Sequence, residues 1–415
     1  MSRSVWGVPS RKRSYIEVWV FLLLICSVNF FDIIPITRLV GVNGPFAFYL
    51  LSLFFMFTFN RRALIGESRS WLTPFWWFLF GVVLSFIPAL LYYGQSFVQS
   101  FFTYRHFFEL VAFPILIALR PNEKELRTAL YAFSVLYLVL CLFITFFAPN
   151  LIPEVENREF VESGNYLHAL PGIRHVFLAF IFAFHKAMRQ GSIRNYGWGI
   201  FLFLVLFIAQ NRTSLIATIF VSAYVLFTMK MSSRKLIMIA VVIIAVVFMV
   251  MYTADQWAIL YKETMDQINN PEYNRIKALI YMTRRRDILR YLLGEGFISA
   301  NVNPIIHILQ EGGIDHSDVG FVGLWHQFGV IPVITVLVMT IKGLSSRKSF
   351  LVRLSAIYTL TGALTLSYIA FGETLLWFSC YLYLYYASGS PMFEEPISNK
   401  NGAQYWLNRS SERSL

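Results

Sequence analysis

Residues 197–229 read GWGIFLFLVLFIAQNRTSLIATIFVSAYVLFTM, and the polar interruption Asn211-Arg212-Thr213-Ser214 decides how the chain folds. The apolar stretch is too long for one membrane span and short for two. Each half holds about 14 to 15 residues, roughly 21 to 23 Å of helix against a hydrocarbon core of roughly 30 Å. The turn carrying Arg212 is therefore expected to sit recessed below the outer surface, where an arginine needs an anionic partner or a wet cavity. One use is a fixed cation for a phosphate-bearing lipid. The plainer alternative is an Arg212 that reaches up to the headgroups and orders only lipid.

Outward from this stretch the pattern repeats. The chain of 415 residues is 57% hydrophobic and 14% charged, against about 25% charged in an average soluble domain, which excludes a soluble reading. Apolar runs of span length start near Tyr15, Val40, Trp71, Phe101, Leu126, Gly172, Gly197, Ser214, Lys235, Val319, Phe350 and Glu373. The expected fold is an all-α integral membrane protein of about twelve transmembrane helices. The net charge of +12 comes from Lys and Arg scattered between apolar runs rather than gathered on one face, which argues for membrane topology and against nucleic acid. With both termini cytoplasmic, Arg61, Arg62, Lys186, Arg189, Arg234, Lys235, Arg347 and Lys348 fall inside, and the short outer connections hold Arg38, Arg105, Arg158, Arg174 and Arg212. Residues 1–254 then carry spans one to nine, 255–318 form a large outer loop with short helices, 319–390 carry spans ten to twelve, and 391–415 are a cytoplasmic tail. Cys26, Cys141 and Cys380 lie inside apolar runs and read as packing residues.

The loop holds most of the chemistry-bearing residues. Over Thr283–Gly296 helical periodicity puts Arg284, Arg286, Asp287 and Arg290 on one face and Ile288, Leu289, Leu292 and Leu293 on the other, the pattern of a helix lying flat with its cations toward headgroups or an anionic ligand. Gly294-Glu295-Gly296 reads as a helix terminator. Asn303, Pro304, Gly312 and Gly313 bound a further short helix. Next, Asp315-His316-Ser317-Asp318 opens the tenth span, with Ser317 or Asp315 available as its cap. A helix N-terminus disfavours imidazolium, so His316 there stays neutral and able to take a proton, as a general base must. His106, His168, His175, His185 and His326 are weaker candidates. Asp315, His316 and Asp318 offer metal-ligand types, yet neighbours at a helix start rarely converge and no DxD occurs, so no metal or other cofactor is indicated. Arg105 and Glu109, four apart, read first as a neutralising pair on one helix face and second as substrate lining.

The turn QNRTS, then a loop arginine ahead of LLGEGF, then HSDVGFVGLWHQFGVI leading into a span, resemble the O-antigen polymerase and O-antigen ligase family of bacterial membrane glycosyltransferases. The resemblance implies a GT-C-like fold with a large helical periplasmic loop before the tenth span, in the bacterial inner membrane. It implies glycan transfer from an undecaprenyl-diphosphate-linked oligosaccharide at the periplasmic face, without a metal, in lipopolysaccharide or exopolysaccharide biosynthesis. The family's arginine in the outer turn falls on Arg212, its loop arginine on Arg275 and its loop histidine on His316. The tryptophan expected after the loop arginine is replaced by Ala278 and Leu279, which leaves that role open to Arg284, Arg285 or Arg286. Arg284, Arg286, Arg290, Arg105 and Asp318 are candidate substrate contacts. Membrane lipid, a chain-length regulator and a flippase are implied partners. Ligation to lipid A core or protein uses the same machinery with another acceptor. A flippase or transporter, the alternative of another class, would place its charges nearer the midplane.

Overall fold

The computed structural model describes residues 14–28, 43–59, 72–147, 172–190, 192–208, 212–228, 274–284, 287–299, 319–346, 349–365 and 372–388, with residues 236, 247, 251 and 302. All regular structure among them is helical. In chain order these are α1 (Ser14–Ser27), α2 (Asn43–Phe59), α3 (Leu72–Leu84), α4 (Phe86–Tyr93), α5 (Phe97–Thr103), a 3-10 helix (Arg105–Val111), α6 (Ala112–Leu119), α7 (Glu123–Phe147), α8 (Ile173–Gln190), α9 (Ile193–Ile208), α10 (Arg212–Thr228), α11 (Asn274–Thr283), α12 (Ile288–Leu293), α13 (Gly320–Phe328), α14 (Val330–Leu344), α15 (Phe350–Thr365) and α16 (Gly372–Ala387).

Two helices, Thr73–Tyr93 and Glu123–Phe143, each 21 residues, are long and apolar enough to cross a membrane. The pair Phe97–Thr103 and Phe107–Leu119, bent by 73°, makes a third if its two pieces form one span. Shorter apolar helices lie at Tyr15–Ser27, Phe46–Met56, Ile193–Phe207, Ile216–Val225, Val330–Leu344 and Phe350–Gly362. The protein is thus a helical chain compatible with a membrane.

Two features of the side chains suit that environment. The interior is aromatic, with Trp377, Tyr358, Phe177 and Phe133 fully buried, yet the perimeter is apolar too, with Phe54, Trp76, Trp77, Phe102, Ile219 and Phe227 exposed. A helix apolar all round belongs where no face meets water. In addition, hydroxyls within the helices return to their own backbone: Ser134 to Leu130, Thr218 to Ser214, Thr335 to Ile331, Thr340 to Val336 and Thr359 to Ser355. Each polar group is then satisfied inside its own segment, as lipid demands.

Several helix pairs run antiparallel. Tyr49 in α2 donates to the Leu23 carbonyl in α1, and Ser27 at the end of α1 meets His175 at the start of α8 at 2.7 Å. Gly81 near the end of α3 lies against Pro332 near the start of α14. Arg353 near the start of α15 donates to the Tyr224 hydroxyl near the end of α10 at 2.9 Å. The α3–α4 pair thus ends, α13 gives way to α14, and α10 begins, at one end of the bundle. At the other end Asn122 and Glu125 cap α7 reciprocally, each backbone N–H donating to the other's side chain, and Glu123 pairs with Arg127 at 3.3 Å.

Three sequence expectations are corrected here. Residues 105–111 form a 3-10 helix, so the α-helical spacing that puts Arg105 and Glu109 on one face does not apply there. The tenth apolar run starts its helix at Gly320 with Val319 at the N-cap and no side-chain cap, so neither Ser317 nor Asp315 occupies that position. Among the described residues of the flat amphipathic helix expected over Thr283–Gly296, only Ile288–Leu293 forms a helix of its own, α12, with Asp287 as its N-cap, while Thr283 ends α11.

Candidate functional site

The site grows from a break in a helix. Gly329, at φ +77°, separates α13 from α14 and breaks the helix between them. An interrupted helix leaves carbonyls without partners, and at membrane depth water does not replace them. The chain supplies the donors itself: the Glu295 N–H donates to the His326 carbonyl and the Gly296 N–H to the Gln327 carbonyl, both at 2.8 Å. This close approach requires glycine on both sides. A Cβ on Gly294, at φ +79°, would stand 2.4 Å from the Gln327 oxygen, and one on Gly329 would stand 2.2 Å from the Leu292 oxygen.

The strip continues as it began. Gln95 donates to the Phe297 carbonyl at 3.0 Å and accepts from the Ser299 N–H at 2.8 Å, while the Phe297 N–H is held by the Tyr104 hydroxyl. Residues 294–299 are thus stitched to the α4–α5 connection, to Tyr104 and to the end of α13. Gly294-Glu295-Gly296 therefore does more than end a helix: it seats the loop inside the bundle.

With the strip comes a carboxylate. Glu295 is 4% exposed, and a buried carboxylate is tolerated only when paired and hydrogen-bonded. Tyr93 at the end of α4 donates to its Oε2 at 2.8 Å, His326 Nε2 lies 3.8 Å from the same oxygen, and Arg290 Nη1 lies 3.6 Å from Oε1. Arg290 also has its Nε 3.6 Å from Asp287 and its guanidinium over the Tyr92 ring, 3.9 Å from the centroid. Asp287 accepts the Arg290 backbone N–H, and this bond, with one from the Tyr92 hydroxyl and the nearby guanidinium, holds its carboxyl below the ordinary value. Tyr291 stacks on Trp325, whose Nε1 donates to the Tyr291 carbonyl at 2.8 Å. The result is a lattice of charge and aromatic rings at the end of the bundle where α4 ends, α13 gives way to α14 and α10 begins.

Several candidate residues lie outside this description. His316, Arg286 and Asp318 fall outside the described residues, and so do the side chains of Arg105, Arg212 and Arg275; the backbone places Arg212 as the first residue of α10 and Arg275 in the first turn of α11. Arg284 is exposed just past the end of α11, with its carbonyl 3.4 Å from the Tyr291 hydroxyl. Arg290 differs from the expected surface cation. It turns inward with its side chain 27% exposed, whereas Ile288 and Leu292 of the same helix point outward. The reason is electrostatic: Glu295, Asp287 and the Tyr92 ring sit on the inner side, so the cation gains more there than the aliphatic side chains lose.

Glu295, Tyr93, Tyr92 and Gln95 carried no weight as site residues in the sequence, and His326 ranked low. The signal for Glu295 was a single carboxylate between two glycines at the head of an apolar stretch. Its hydrogen-bond donor Tyr93 lies 202 residues earlier, and no spacing rule joins the two. Among the described residues no group of His, Cys, Asp and Glu could hold a metal ion.

Fold and lattice together define a helical protein compatible with a membrane, with a polar, partly charged cluster at one end of the bundle. No family model matches the chain and no curated protein matches it.

Proposed function

We propose that the chain is a membrane glycosyltransferase that polymerises glycan repeats carried on undecaprenyl diphosphate, working at the periplasmic face of the bacterial inner membrane. In this reading the apolar helices and the run near Lys235 make twelve crossings with both termini cytoplasmic, and 255–318 is periplasmic. His316 takes the proton of an acceptor sugar hydroxyl as that oxygen bonds to the anomeric carbon of the donor. The anomeric carbon–oxygen bond to the diphosphate breaks, and the departing anion is held by Arg212 with Arg275 or its neighbours Arg284 and Arg286. A single displacement inverts the anomeric centre. Asp318 and Arg105 contribute to the substrate-facing rim.

One observation carries this reading: the strip 294–299 seats the cationic loop helices at the same end of the bundle where Arg212 opens α10. His316 lies between that strip, anchored as far as Ser299, and α13, which starts at Gly320. In this reading the cations from separate stretches and the base at His316 meet around one mouth. A transporter would need no such anchored loop.

The test uses R212A and H316A in cells that make the polymer, with glycan sized on a gel and protein level measured in the membrane fraction. Loss of the ladder at normal protein level is the expected result, with residual rates down about 10²–10⁴-fold for the base. An unchanged ladder in both variants removes the transferase reading.

A further inference from the structure

We propose that Glu295 is a positioning residue for glycan transfer: through Arg290 it fixes where α12 and the loop cations stand relative to the start of α10. The inference rests on the transferase reading above and deepens it.

The strip does not need this carboxylate to stay in place. Backbone bonds from Glu295 and Gly296, the bonds at Phe297 and Ser299, and the glycine contacts at 294 and 329 already pin it. Tyr93 would donate equally well to an amide oxygen in that position. What a carboxylate adds is charge, and burying charge carries a desolvation cost that an uncharged residue would avoid. That charge is directed at two groups only slightly beyond hydrogen-bond length, Arg290 at 3.6 Å and His326 at 3.8 Å. His326 is buried on α13, behind the strip, and Arg290 is the group that leads outward.

Arg290 carries the position of Glu295 into α12. It lies between Glu295, Asp287 and the Tyr92 ring, so the helix can take up one placement on the end of α4. The chain immediately before α12 contains Arg284, Arg285 and Arg286. A shift of about 1 Å in such cations acts mainly on the transition state, where the diphosphate charge develops, and costs up to about 10²-fold.

The experiment uses the full-length protein in lipid nanodiscs with a synthetic polyprenyl-diphosphate-linked repeat, following product length and initial rate. E295Q keeps the volume and the Tyr93 bond. It is expected to lower kcat about tenfold or more with donor KM within about twofold. E295D is expected to recover part of the loss. R290Q, which leaves the buried strip untouched, should show the same split, and R290Q/E295Q should be no slower than the slower single variant, as for two residues acting as one unit. A nitroxide on Ile288→Cys, an exposed position on α12, reports the placement without chemistry and should become more mobile in E295Q. Wild-type kcat in E295Q and R290Q, multiplying losses in the double variant, or an unchanged label overturns the inference while the transferase reading stands. A wild-type protein that makes no product overturns the transferase reading itself.

Discussion

The Tyr93 hydroxyl donates to a carboxylate that has left water, and a hydrogen bond to a charged group contributes about 1.5–3 kcal/mol. Tyr93→Phe is expected to lower stability by that order, read as a fall in melting temperature in detergent. Asp287 gives a pH dependence whose sign follows from its depressed pKa. A carboxylate lowered on folding contributes stability that is fully present above its unfolded value, near 3.8, and is lost as pH falls through the lower folded value. Amide protection of α12 should therefore hold from neutral pH down to about pH 4 and fade below it, and hydrogen exchange across that range checks this. Asp287→Asn, which still caps, should remove the acid limb while leaving the helix start intact.

At the scale of elements, glycine separates two kinds of position. Gly329 joins α13 to α14, and a Cβ there would meet the Leu292 oxygen at 2.2 Å, so Gly329→Ala must push the strip out of its seat. Gly197 and Gly199 lie inside α9 with nothing within 4 Å of an added Cβ. Alanine at either is expected to stabilise by about 0.5–1 kcal/mol through helix propensity. Parallel thermal melts compare the three. The helices themselves were legible in the apolar runs: α9 and α10 meet at the polar interruption read from Asn211-Arg212-Thr213-Ser214, and α7 follows its run from Leu126 closely. The facing of α12 was not, because periodicity sorts residues into two faces without saying which one finds partners. Arg290 turned in because Glu295 waits there, and Glu295 is buried because of bonds to α13 and α4, which are remote in sequence. For the same reason Arg284 and Arg290, alike on a helical wheel, end in different surroundings.

For the whole molecule, the proposed topology, with α4 ending at the periplasmic face, predicts sidedness. Ile288 stands at the end where α4 finishes, and Ile193, 90% exposed, stands at the far end of α9. Cysteine at 288 should react with a membrane-impermeant maleimide added to the periplasm of intact cells, and cysteine at 193 only after the cells are opened; Cys26, Cys141 and Cys380 are buried and give little background. Labelling of both from one side contradicts the arrangement. The break between α13 and α14 also bears on biogenesis. When that segment leaves the insertion machinery, the His326 and Gln327 carbonyls are quenched only if the stretch synthesised before it has already folded back onto them. Insertion and loop capture are thereby coupled into a late maturation step, and a chain that stalls there exposes open backbone to lipid, the kind of lesion on which quality-control proteases of the membrane act.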